Sequence, residues 1–201
     1  MRILMSKKLL LIVFLLSGAR FGLSEQPGDK MKSDIRALYN HDADVRQRAA
    51  QRLTAAGLKA APLLTDVVCN RSKPNFDLAW PFAAKALGDL RVEKAAPCLV
   101  QTLGYHYPPI GSPVSKTDDT LQRVDPAFAA LLQIGAPAVP AIRSHLPFLS
   151  PDHSLLAMRI LRIINTPEAK KTAEEYIKML EDQIRLSKQI LAEFESAKNS
   201  K

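Results

Sequence analysis

Apolar residues recur along this chain at helical spacing, in units that share the same few residue types. Val45, Ala49 and Leu53 form one helical stripe, with four residues from each to the next. Gly57 and Pro62 follow this stripe, and the set returns later at the same spacings as Leu131, Gly135 and Pro140. No stretch alternates steadily between apolar and polar residues, so the pattern predicts helices and no β-sheet.

Two further copies of this unit are present. Residues 83–90 and 95–99 form one copy, with one extra residue between its leucine and its proline, and residues 161–165 begin another. Repetition at this period is typical of a solenoid, in which neighbouring helix pairs bury their apolar faces on each other. The sequence therefore predicts an all-α fold.

Each unit is predicted to consist of a helix, a tight corner and a second helix. Asp42 or Asp44 is suited to cap the first helix of the first unit. The corner positions hold residue types that accept left-handed backbone, namely Gly57, Gly135 and Asn165. Prolines occupy the first turn of the second helices, where a missing N–H costs little: Pro62, Pro97 and Pro140.

The segments at residues 84–88 (Ala-Lys-Ala-Leu-Gly) and 95–99 (Ala-Ala-Pro-Cys-Leu) resemble HEAT-type repeats, particularly the short class named after phycobilisome lyases. The resemblance extends over residues 34–182. It implies a right-handed α-solenoid of about four HEAT-like helix pairs with a long C-terminal helix. In such a solenoid the second helix of each pair lines the concave surface. It specifies fold more than function, because such repeats occur in scaffolds, adaptors and a few enzymes.

An insertion at residues 104–126 separates the second unit from the third. Solenoids place such insertions at one edge, which is often the binding edge. Tyr105 and Tyr107 are of a type enriched in interfaces, and His106 lies between them. The alternative is a surface loop whose tyrosines cover the ends of nearby helices.

The last helix is predicted to start with Thr166 as its cap and Pro167 at its first position, and to run for ~30 residues. Apolar and small residues follow a coiled-coil seam along it, at Ala173, Ile177, Leu180, Ile184, Ser187, Leu191 and Phe194. Its inner part is expected to cap the last repeat. The extension at residues 183–201 either folds back or pairs with another chain, which would give a homo-oligomer.

The N-terminus has the three parts of a secretory signal peptide: a basic start, eight apolar residues at 9–16, and small residues up to Ser24. We assign residues 1–24 to this signal, with Ala19 as a second cleavage position, and residues 25–33 to a flexible linker. The protein is then exported to the periplasm or the extracellular space. The alternative is a retained apolar helix, although eight residues are too few for a permanent membrane span.

Charge argues against nucleic acid as a partner. Of the 28 basic residues, four lie in the assigned signal, which leaves 24 against 20 acidic residues. The two signs are interleaved along the chain, so no basic stripe is predicted.

The only two cysteines are Cys69 and Cys98. An even count in an exported protein suggests a disulfide. However, aligning Pro62 with Pro97 separates the two Cα atoms by ~12 to 13 Å, whereas a disulfide requires less than about 7 Å. This register favours two buried thiols, with the disulfide as the alternative.

No catalytic or cofactor motif is present. The four histidines, His41, His106, His145 and His153, form no metal-binding pattern. There is no nucleophile motif and no phosphate-binding glycine loop. We therefore expect a non-enzymatic protein without cofactor or metal.

The sequence favours an exported scaffold or adaptor that binds a protein or peptide through its second helices and the insertion. Candidate contact residues are Gln101, Tyr105, His106, Tyr107, Arg143 and His145. Two alternatives remain open: a chromophore or small-ligand lyase, suggested by the repeat class, and a structural oligomer assembled through the C-terminal helix.

Overall fold

The computed structural model describes residues 27–105 and 117–199, and within these ranges it contains helices and no strands. The predicted all-α class is therefore confirmed. Ten α-helices are formed in the described ranges: α1 (Pro27–Ala37), α2 (Ala43–Ala55), α3 (Ala61–Cys69), α4 (Phe76–Asp89), α5 (Ala96–Gln101), α6 (Asp118–Val124), α7 (Pro126–Ile134), α8 (Val139–His145), α9 (Pro151–Ile164) and α10 (Pro167–Asn199).

The helices of successive units contact each other in chain order. The first helices of the units, α2, α4, α7 and α9, are in contact from each to the next. The second helices, α3, α5, α8 and α10, contact one another in the same order. Both kinds of helix contribute fully buried residues to one core, such as Leu53, Leu87 and Leu131 from the first and Leu64, Leu99 and Ile142 from the second.

The corners have the predicted backbone. Gly57, Gly135 and Asn165 have φ angles of 66°, 74° and 53°. The second unit turns at Arg91, with φ 50°, four residues after Leu87 as Gly57 is after Leu53. The position within the repeat thus predicts a positive φ at Arg91, although arginine is not a residue type that favours one.

The helix ends also follow the sequence. Asp42 caps α2 by accepting hydrogen bonds from the amides of Asp44 and Val45. Pro62, Pro97 and Pro140 lie in the first turns of α3, α5 and α8. Thr166 accepts a hydrogen bond from the Ala169 amide at the start of α10, which extends over 33 residues.

The structure differs from the expected segment boundaries at two places. Helix α1 covers residues 27–33, where the sequence predicts a linker. Helix α6 lies inside the predicted insertion, after an N-cap at Thr117. The predicted signal at residues 1–24 and the central insertion residues 106–116 lie outside the described residues.

The expectation of two free thiols is wrong, because Cys69 and Cys98 form a disulfide with their Cα atoms 5.1 Å apart. The Cα–Cα distance expected from the sequence was too large because it assumed that Pro62 and Pro97 lie at the same level along parallel helices. Cys69 is instead the last residue of α3 and Cys98 lies in the first turn of α5. The end of one second helix therefore meets the start of the next.

Helices α4 and α7 approach closely at Gly88. A Cβ atom placed on Gly88 would lie 2.7 Å from the Ala130 Cα. This backbone contact cannot be relieved by a side-chain rotation, so the small residue is required for the packing of the two helices.

Candidate functional site

Two predicted contact residues meet between α5 and α8. Gln101 Nε2 lies 3.2 Å from His145 Nε2. His145 Nδ1 lies 2.9 Å from the Ala141 carbonyl oxygen, which can only accept. In the neutral imidazole Nδ1 therefore carries the proton, and Nε2 accepts a hydrogen bond from the Gln101 amide.

Arg143 connects α8 to α10. Its guanidinium forms a 2.8 Å ion pair with Glu175, and both side chains are about half exposed, at 51% and 43%. A pair at this exposure contributes little to stability but leaves the guanidinium edge accessible. Gln101, His145, Arg143 and Glu175 thus form a set of polar side chains across three consecutive second helices, which we call the polar row.

Tyr105 packs against the start of α4. Its ring centroid lies 5.6 Å from that of Phe76 and 5.4 Å from that of Trp80, both in edge-on geometry. Its hydroxyl donates a hydrogen bond to Asp77, which together with burial raises the pKa of Tyr105. This is the arrangement expected of a loop tyrosine that covers a helix end. His106 and Tyr107 lie outside the described residues.

Asp125 holds the two ends of the insertion together. One carboxylate oxygen accepts hydrogen bonds from the amides of Ala127 and Phe128, both at 3.0 Å. The other accepts from the Gly104 amide at 2.8 Å. Burial raises the pKa of Asp125 to about 6, while the three amides oppose this shift.

The imidazole ring of His153 lies beside Gly104, where the insertion begins. A Cβ atom on Gly104 would come within 2.6 Å of it, so the backbone and the imidazole are closely packed. Burial lowers the pKa of His153.

A second surface of interest is apolar and lies on α9 and α10. Two open grooves of about 520 and 550 Å³ share Leu155, Met158 and Ile177 in their walls. Large apolar side chains continue along α10 beyond them. We call this set the C-terminal apolar surface: Leu155, Met158, Ile177, Leu180, Ile184, Ile190, Leu191 and Phe194.

Neither the comparison with protein-family models nor the comparison with curated proteins finds a match to the chain. The resemblance to HEAT repeats therefore depends on the residues quoted above.

The described ranges contain no cluster of metal-ligating side chains and no single helix suited to span a membrane. No group of three His, Cys, Asp or Glu side chains there could hold a metal ion. No single helix there has both the length and the composition to span a membrane. The segments Pro126–Ile134 and Ala136–Phe148 have them only when taken together, and these two segments are bent by 112° relative to each other.

The structure thus brings Gln101 and His145 together, places Arg143 on the side of α8 that meets Glu175 of α10, and separates Tyr105 from them. The sequence did not indicate Glu175 as the partner of Arg143 or Asp125 as the clamp of the insertion. For Asp125 a signal was available, because an aspartate directly before Pro126 and an apolar helix is a strong N-cap pattern.

Proposed function

We propose that this protein is an exported, non-enzymatic scaffold built as a right-handed HEAT-like α-solenoid, which binds a protein or peptide through its polar row. The observation that carries the proposal is the chain-order contact of α3, α5, α8 and α10. It brings the outward polar groups of consecutive second helices into one surface. In solenoids such a surface serves as an extended binding face.

The Cys69–Cys98 disulfide supports export. Disulfides persist in oxidising compartments and are rare in the reducing cytosol. The bond is therefore in keeping with the signal peptide that the sequence predicts at residues 1–24.

The chemistry of the polar row favours a partner segment that presents carboxylate and amide groups. A partner carboxylate would compete with Glu175 for the guanidinium of Arg143, which is suited to bidentate pairing. A partner amide would hydrogen-bond to Gln101 or His145.

Arg143→Glu is expected to abolish capture of the partner without changing the helical circular dichroism. The substitution places a carboxylate where the partner requires a cation, at an exposed site that contributes little to folding. Pulldown from the native periplasmic or extracellular fraction, followed by mass spectrometry, compares the variant with wild type.

Two variants serve as controls. Arg48→Glu makes the same charge change at an exposed position of α2, a first helix, and should retain capture. Glu175→Gln removes the internal ion pair, and it should retain or strengthen capture. Equal capture by the Arg143→Glu variant and wild type would refute the role of the polar row.

A further inference from the structure

The distal half of α10 extends past the rest of the protein. Near its start, Ala169 and Thr172 are buried, at 0% and 2% exposure. All residues from 180 to 196 are exposed. Residues 184–199 therefore form a projecting helix of ~24 Å.

The apolar seam of α10 continues onto this projection without a change of face. Ala173 packs on the core, and Ile177 and Leu180 line the grooves beside α9. Further along the same stripe, about one, three and four helical turns beyond Leu180, the side chains of Ile184, Leu191 and Phe194 are 56%, 62% and 71% exposed. The face that packs on α9 is thus left without a neighbour over the distal half.

The charges of this half exclude two kinds of partner. Residues 181–199 carry three basic and four acidic side chains in mixed order. An amphipathic helix that binds an anionic membrane, or a segment that binds nucleic acid, would carry an excess of basic residues. The surface is therefore suited to another amphipathic helix.

We propose that the C-terminal apolar surface is a self-association interface, occupied by α10 of a second copy of this chain in antiparallel orientation. The orientation follows from the position of the seam, which faces the side of α10 on which α8 and α9 lie. Two parallel copies would bring their remaining helices into the same space, whereas antiparallel copies keep them at opposite ends.

The seam is complementary to itself in this orientation. Pairing Ile184 with Phe194 of the second copy also pairs Ser187 with Leu191, so that two large apolar residues meet in one layer and a small residue lies opposite a large one in the next. The groove of about 550 Å³ beside Leu180 and Gln183 lies where the end of the second α10 arrives.

The available area is sufficient for a stable dimer. At ~150 Å² for each large apolar side chain, the exposed fractions amount to roughly 500 Å² per copy. Because homodimer interfaces are about 65% apolar, two copies would bury ~1,500 Å² in total, within the range of stable interfaces.

The interface is separate from the polar row, so it can be tested independently of the proposed function. In sedimentation equilibrium we expect the purified protein to form a dimer. Leu191→Glu should weaken this dimer by at least about 100-fold, because it buries a charge in each half of the interface.

Matched variants separate this proposal from the polar row. Gln189→Glu adds the same charge on the opposite face of the helix and should dimerise like wild type. Arg143→Glu should also dimerise normally, even though it is expected to lose partner capture.

A photoreactive residue at position 194 tests the orientation. We expect a cross-link to residues 183–188 of the second copy. A cross-link to position 194 of the second copy would overturn the antiparallel arrangement. A protein that stays monomeric, or a monomer that binds phosphatidylcholine–phosphatidylglycerol vesicles or a different protein through this surface, would overturn self-association.

Discussion

Asp125→Ala is expected to lower the free energy of unfolding by about 4 kcal/mol, the largest effect of any single substitution considered. The carboxylate is fully buried and accepts three backbone hydrogen bonds, from Gly104, Ala127 and Phe128. Alanine leaves all three donors without a partner, and each buried unsatisfied group costs about 1–3 kcal/mol. Urea unfolding followed by circular dichroism measures the loss.

Two comparisons make this result specific. Asp42→Ala removes an exposed cap at the start of α2 and should cost only about 1 kcal/mol. Asp125→Asn keeps an oxygen for Ala127 and Phe128 but turns an NH₂ group toward the Gly104 amide, so its loss should be intermediate. If Asp125→Ala costs no more than Asp42→Ala, then the carboxylate does not join the two ends of the insertion.

Reduction of the Cys69–Cys98 disulfide is expected to lower the free energy of unfolding by about 3–4 kcal/mol. The bond closes a loop with a sequence separation of 29, and opening it increases the conformational entropy of the unfolded chain. Urea unfolding with and without reductant measures the difference.

The Cys69→Ser, Cys98→Ser double variant is the matched control. It should unfold like the reduced wild type and should not respond to reductant. Thiol titration of the unreduced, denatured protein should find no free thiol. Two titratable thiols in that sample would contradict the disulfide and restore the first expectation from the sequence.

The local features of the fold were predictable because they depend on neighbouring residues. Asp42, Gly57, Asn165 and Thr166 each act within one turn of their own position, through a cap or a left-handed backbone. The positive φ of Arg91 follows from the repeat register rather than from its residue type. Such features depend on residues within one helical turn, so they can be predicted directly from the sequence.

The long-range features were predicted less well. The disulfide depends on how far α5 is displaced along α3, and no residue spacing gives that displacement. In the same way, the pairing of Arg143 with Glu175 depends on where α10 returns to α8. Gln101 and His145 could both be predicted as contact residues, because both lie on second helices. Their hydrogen bond to each other could not be predicted, because it depends on how α5 packs on α8.

The most direct test of recognition through the polar row places a photoreactive residue at position 143 in one sample and at position 48 in another. After irradiation in the native exported fraction, we expect the same protein to be cross-linked repeatedly at position 143 and not at position 48. No cross-linked protein at position 143, or equal cross-linking at both positions, would contradict binding through the second helices.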